Sequence, residues 1–485
     1  DEYNWTNGRL KRAYANHKDE GVREFYAALP TYCDCPVCRE RFQEWYGEPL
    51  PELGNWSRTP EQTDAYRKFV DFRYRATAEW IARGAQAIKS VNPDIRADSL
   101  ICVSPICSDF RLGTGVAWDM MGYGSQIDFP TTDPYILLHN YLGDSTHWYV
   151  TETTAHLVGC TPRRQAGIVI EASRLRAEHR PLDPVEIYGS ALSAVSRGAK
   201  ELAWWHYVHI TGTSGASQGE ISYNSAGGAY DLLERVDPWL DGAAPEKRVA
   251  MLYSRAGEEW FSFYTSPEPA DILTHATDDP RYAFLAQKEV LYYLFRAGVP
   301  TDMFFLDQVS ADELADYPII VVPFAFAAGE AQAALLRELA EAGKQVLIIS
   351  EFGTVDELGA PLDEPALLDL CGLAQAPSGE ATGALAFGGE TLADFTVYAD
   401  VRPAAGVETL ATVNDVPVIL AHQVGAGWVV FLAGEFGIGL PANTDNERKG
   451  REERVQPAEL SEKHTAIISS LLDEMYGGPV SLLAS

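Results

Sequence analysis

The sequence predicts an α/β protein made of two consecutive parallel-sheet regions, and three observations predict it. From Ile95 onward, β-branched or aromatic runs alternate with helical stretches, which is the pattern of βα units laid in parallel. A second such alternation begins beyond Pro238–Pro245 (PWLDGAAP). The length of 485 residues also exceeds one ordinary domain, so two or three are expected.

The elements follow in order. Residues 3–92 are polar and mostly helical, and Thr63 to Val91 carries Phe69, Phe72, Ala76, Trp80, Ile81, Ala85 and Ile88 at helical spacing before Asn92-Pro93 stops it. Strands are expected at Ile95–Val103, Gln126–Phe129, Gly167–Ile170 and Leu202–Tyr207, with a helix at Val185–Arg197. Beyond Pro245, strands at Arg248–Tyr253, Thr301–Phe305, Ile319–Pro323 and Gln345–Ser350 alternate with helices at Tyr282–Ala297 and Glu330–Ala342, a doubly wound pattern. Glycine-rich β segments follow at Phe395–Ala399, Val418–Ala421 and Trp428–Ala433, then a charged loop around Asn443–Arg454 and a last helix from His464 to Tyr476. Domains are thus expected at 1–245 and 246–485.

Composition narrows the partners. Asp and Glu number 69 against 38 Lys and Arg, a net charge of −31, and a field of that sign repels phosphate backbones and anionic lipid surfaces. No apolar run reaches the roughly 18–20 residues a membrane helix needs. Neither nucleic acid nor a membrane is expected as a partner. Aromatic residues make up 11% of the chain, enough to fill cores and still leave rings for stacking on a neutral ligand such as a sugar. The seven cysteines are an odd count with one tight cluster, which points to metal binding and free thiols instead of a disulfide framework, and so to a cytoplasmic protein.

Four constellations could carry chemistry. Gly167-Ile168-Val169-Ile170-Glu171 puts a carboxylate at the end of an apolar strand, where barrel enzymes keep catalytic groups; a helix-capping or solvated Glu is the plainer alternative. Asp1-Glu2-Tyr3-Asn4-Trp5 sets a carboxyl among aromatic rings, as in a sugar site with paired carboxylates, or is a frayed end. Cys33-Asp34-Cys35-Pro36-Val37-Cys38 offers three thiols to one Zn²⁺, one fewer than a closed site takes. Trp204-Trp205-His206-Tyr207 ends an aromatic strand that either stacks a sugar or fills a core.

Together these motifs, with Arg41-Phe42-Gln43-Glu44-Trp45-Tyr46-Gly47, Ile127-Asp128, Asp133-Pro134-Tyr135 and Gly198-Ala199-Lys200-Glu201-Leu202-Ala203, come in an order that resembles glycoside hydrolase family 42. The resemblance runs over nearly the whole chain. It implies a (β/α)₈ TIM barrel, of which residues 1–245 carry strands four to eight. A flavodoxin-like trimerisation domain, similar to class I glutamine amidotransferases, then follows over 246–485 and ends in a β-rich part. It implies a retaining β-galactosidase-like hydrolase and a homotrimer. Glu2 matches the acid/base, Glu171 the nucleophile, and Cys33, Cys35 and Cys38 three of four structural zinc ligands. Tyr207 falls where the family places a Trp beside the sugar; Asp1, Tyr135, Trp205 and His206 complete the expected substrate contacts. No cofactor is expected for catalysis. The strand at Ile319–Pro323 lacks the cysteine an amidotransferase needs, so the second domain is expected to be structural.

The departures are specific. Asp1 stands where the clan has Asn, Val208 where an Arg is usual, and the stretch between Glu2 and the cysteines is long. They leave open a β-glucoside, β-mannoside or α-L-arabinopyranoside as substrate, and a non-catalytic carbohydrate-binding or scaffold homologue. With Glu2 closing the fourth strand, an N-terminal segment or second chain is expected to supply strands one to three and the fourth zinc ligand.

Overall fold

The structure is a computed structural model and describes residues 15–28, 33–51, 59–100, 118–124, 127–134, 146–173, 182–205, 219–240, 243, 246–265, 281–436 and 458–482. The first part opens on α1 (Glu20–Ala28), α2 (Pro36–Tyr46) and the long α3 (Pro60–Val91). Thr59 caps α3 by accepting from the Gln62 N–H, Pro60 occupies its first turn, and Asn92 closes it. Then come β1 (Asp98–Leu100), α4 (Trp118–Gly124), β2 (Phe129–Thr132), α5 (Thr146–Gly159), β3 (Ala166–Glu171), α6 (Pro184–Ser196), β4 (Ala199–Trp205) and α7 (Glu220–Leu240).

Strands β1 to β4 form one parallel sheet in chain order, as the alternation predicts. The second strand is shifted: it lies at Phe129–Thr132, not Gln126–Phe129. Just ahead of it, Asp128 donates its own N–H to the Ala97 carbonyl (2.7 Å), and its carboxylate accepts from Lys89 (2.5 Å), Arg163 and the Ala97 N–H (2.7 Å). Burial pushes its pKa up, but these three donors outweigh burial and hold it below the ordinary carboxylate value. Pro238 lies inside α7, near its C-terminal end.

The second part is a seven-stranded sheet in the order β11-β12-β13-β8-β7-β5-β6. Its parallel members are β5 (Val249–Tyr253), β6 (Thr301–Phe305), β7 (Ile319–Val322), β8 (Gln345–Ile349) and β13 (Gly427–Leu432). Residues of β5 and β7 are buried throughout, as strands covered on both faces must be. Helices α8 (Arg255–Thr265), α9 (Arg281–Arg296), the short α10 (Ala311–Leu314), α11 (Glu330–Glu341) and α12 (Ala458–Tyr476) accompany it. An antiparallel flank of β11 (Glu408–Val413) and β12 (Val416–Val424) extends it, and β9 (Ala381–Phe387) pairs with β10 (Glu390–Val397) as a separate hairpin. Cys371 sits in a run of turns.

The two parts share one core. Trp148, Leu157 and Ile168 of the first belong to the same apolar cluster as Met251, Leu291 and Met303 of the second. Helix α5 lies at the seam. Its Glu152 pairs with Lys288 of α9 at 2.5 Å, both fully buried, a pair that costs about 3–5 kcal/mol to break from one side. At Gly159 the backbones come so close that an added Cβ would lie 2.8 Å from the Met303 carbonyl oxygen.

Strand β6 ends its sheet, so its outer carbonyls need partners. Arg197 donates to the Thr301 oxygen (3.4 Å) and Arg164 to the Met303 oxygen (2.6 Å). The same guanidiniums lie over the Phe295 and Phe304 rings at 4.1 and 4.0 Å. Arg164 holds a positive φ of 55° to do so.

Candidate active site

Register fixes which side chains of the first sheet share a face. Parallel partners side by side point the same way, so Gly167 and Glu201, Val169 and Ala203, and Glu171 and Trp205 line one face of β3 and β4. Thr131, opposite Gly167, and Leu100, opposite Thr131, continue that face onto β2 and β1. The face is concave. Arg96, just ahead of β1, passes over the Phe129 ring (5.2 Å) and comes within 3.5 Å of Glu201 on β4. In a flat sheet those strands would stand about 14 Å apart, at about 4.8 Å per neighbour. Small residues allow the curl: a Cβ on Gly167 would lie 2.4 Å from the Thr131 hydroxyl.

Glu171 ends β3 at the carboxyl end of this concave sheet, fully buried. Trp205 is its register partner and is 38% exposed. The Ala172 N–H donates to the Trp205 carbonyl (3.3 Å) and locks the two strand ends together. A buried carboxylate beside an accessible indole can present a nucleophilic oxygen to a ring stacked on the Trp. Of the other expected contacts, Asp1, Glu2, Tyr135, His206 and Tyr207 lie outside the described residues. Trp204 turns to the opposite face and meets Tyr230 of α7 edge-on at 5.8 Å. It packs the sheet onto its helix and does not line the site.

The Ile127-Asp128 pair has no place in the site. Asp128 sits at the amino end of β2, away from Glu171, and its three donors give it a structural task. The reading of single strands missed Asp98 and Glu201, which face the same concavity; stepping back by twos from Trp205 through Ala203 would have found Glu201.

The cysteine loop lies apart. The Cys33, Cys35 and Cys38 sulfurs all lie within 4.8 Å of one another, with Cys33 and Cys38 at 3.6 Å. Cys35 caps α2, and the Cys38 backbone N–H lowers its thiol pKa. Burial pushes the Cys38 thiol up. Three converging sulfurs fit three corners of a tetrahedral zinc site. No fourth His, Cys, Asp or Glu joins them among the described residues.

Compared with solved structures, the chain superposes on the GH42 β-galactosidase Gan42B of G. stearothermophilus with a TM-score of 0.67 at 13% identity, over 98% of this chain and 71% of that one. The fold is that of the GH42 β-galactosidases. The enzyme of the Antarctic haloarchaeon Halorubrum lacusprofundi gives 0.64 at 14% identity, over 97% of this chain and 72% of that one. The exo-β-1,4-mannosidase Op5Man5 of Opitutaceae bacterium strain TAV5 gives 0.50 at 17% identity, over 80% and 75%. No protein-family model matches the chain, and no curated protein matches it in sequence. No helix among the described residues is long and apolar enough to cross a membrane.

Proposed function

We propose that the chain is the nucleophile-bearing part of a retaining glycoside hydrolase acting on a β-galactoside or a related glycoside. The observation that carries the reading is Glu171, buried at the carboxyl end of a concave parallel sheet and paired in register with Trp205. Likeness to GH42 folds supports it. Residues 1–245 are read as strands four to eight of a (β/α)₈ barrel, and 246–485 as a structural trimerisation domain.

In this reading a Glu171 oxygen bonds to the anomeric carbon while the glycosidic C–O bond breaks, and the leaving oxygen takes the Glu2 proton. Water then attacks the same carbon. Glu2 accepts its proton, and the bond to Glu171 breaks. The two carboxyls must stand about 5–5.5 Å apart for this. Trp205 stacks the sugar, and Asp1, Tyr135, His206 and Tyr207 contact it. Cys33, Cys35 and Cys38 hold a structural Zn²⁺ that takes no part in bond breaking. The buried free thiol of Cys371 fits a cytoplasmic, reducing setting.

Glu171→Gln is expected to lower turnover of a nitrophenyl glycoside by at least 10³-fold with the fold intact. Substantial residual activity that azide does not change removes the nucleophile role. A panel of galactoside, glucoside, mannoside and arabinopyranoside substrates names the sugar. One feature favours a second reading, a non-catalytic carbohydrate-binding homologue: Asp1, acceptor-only when ionised, stands where the clan has an amide. Sugar binding without turnover in any member of the panel would select it.

A further inference from the structure

Backbone alternation runs past the end of β3. The Ala172 N–H donates to the Trp205 carbonyl at 3.3 Å, so the ladder with β4 continues one residue beyond Glu171. Side chains of a strand alternate between its faces. Ile168, Ile170 and Ala172 therefore point away from the concavity, and the first two belong to the main apolar cluster. Gly167, Val169 and Glu171 point into it, and Ser173 is next in that series. Its side chain stands about 7 Å beyond that of Glu171 along the strand, at about 3.3 Å per residue.

Ser173 is 1% exposed, and its hydroxyl has no hydrogen-bond partner among the described residues. A buried hydroxyl left unpaired destabilises a fold, so its presence calls for a reason. Thr153 of α5, Ser190 of α6 and Ser222 of α7 share the condition, but each lies on the buried face of a helix. Ser173 alone among these four follows the carboxylate at the carboxyl end of the concave sheet. A hydroxyl serving to orient Glu171 needs no ligand to make that bond, and Ser173 does not make it. Glu171 and Ser173 are equally closed to solvent, at 0% and 1%, so whatever admits a glycoside to the carboxylate uncovers the hydroxyl with it.

We propose that Ser173 is a substrate-binding residue: its hydroxyl pairs with a hydroxyl of the sugar held at Glu171 and so selects glycosides that carry one at that position. This rests on the hydrolase reading above. Stacking on Trp205 takes the face of a ring and is indifferent to most of its hydroxyls. Ser173 adds a directional contact, and a serine hydroxyl both donates and accepts, as a sugar hydroxyl does. Beside the Glu171 carboxylate, an uncharged partner of this kind suits a neutral sugar and not a uronate or a sulfate ester.

The test compares the parent with Ser173→Ala in two measurements on the whole chain. The first is thermal unfolding without sugar. Removing an unpaired buried hydroxyl should leave the melting temperature unchanged or raise it by a few degrees, whereas losing a hydroxyl bonded within the fold would lower it. The second is kcat/KM on a nitrophenyl glycoside that the parent cleaves, and on its 2-, 3-, 4- and 6-deoxy forms. Ser173→Ala should lower kcat/KM about 10- to 100-fold on the full glycoside. On the one deoxy form that lacks the paired hydroxyl the loss should shrink to less than about 2-fold, and on the others it should persist. Ser173→Cys, similar in size with a weak donor, should behave like the Ala variant. An equal loss on every form, no loss on the full glycoside, or a clear drop in melting temperature in both variants overturns the assignment and leaves the hydrolase reading intact. A parent that neither binds nor cleaves any glycoside ends both. If it binds without cleaving, the hydrolase reading fails alone, and the same deoxy series in calorimetric titration decides on Ser173.

Discussion

Glu351, two residues past β8, is a partly buried carboxyl whose pKa burial pushes up to about 7, with the Glu435 charge adding to it. Its folded value exceeds the 4.5 of an ordinary Glu, so the native state binds the extra proton between those pH values. The stability this gives is complete below about pH 4.5 and is lost as pH rises through 7. Glu351→Gln should therefore match the parent at pH 4.5 and exceed it at pH 8 by about 1–2 kcal/mol, a figure reduced for the side chain's partial exposure. Urea unfolding at the two pH values measures it, and equal differences at both would contradict the assignment. At this scale the sequence exposed Glu171, because a carboxylate ending a β-branched run is a local pattern. Glu351 was not legible. Its environment is made by Tyr398 and Glu435, which only the fold brings close.

Elements with strong local signals were readable. The strand at Thr301–Phe305 falls where expected, and α3, α9 and α11 differ by a few terminal residues. The start of β2 was misplaced: Asp128 precedes it, its carboxylate held by the Lys89 and Arg163 side chains and the Ala97 N–H, all 30 or more residues away and so invisible to a local pattern. β9 and β11 were missed because half-exposed hairpin strands rich in Ala, Thr and Gly lack an apolar run. The cysteine loop was read correctly as a convergence of thiols, though not its place: Cys38 shares a core with Phe42, Phe69 and Phe72 and with Ala256, Trp260 and Phe263 of α8. Metal bound there would brace the contact of α2 and α3 with the second part. Removing it with a strong chelator under reducing conditions should lower the melting temperature by several degrees and leave the initial rate at low temperature unchanged. Metal analysis finding no zinc in freshly purified, reduced protein would end this reading.

For the whole molecule, the expected assembly is a homotrimer closed by cyclic symmetry, with the second domain as its contact. Light scattering at micromolar concentration should return three times the 53.3 kDa of one chain. A stable single copy would refute it. High salt should favour the assembly, because a charge of −31 per copy repels across any self-contact and is screened within about 8 Å at physiological ionic strength.

The arginines at the β6 edge bear on how the polypeptide responds to being cut. Arg164 and Arg197 lie before the 206–246 stretch, and the carbonyls they hold lie after it. With Glu152–Lys288 and the shared apolar cluster, these ties bind the two sides without the connecting backbone. A protease nick between Trp205 and Val249 should therefore leave two fragments that co-elute under native conditions and separate only in denaturant. In a calorimeter the nicked and intact proteins should each give a single heat-absorption peak. Two peaks from the intact protein would mean that the seam is looser than its hydrogen bonds imply.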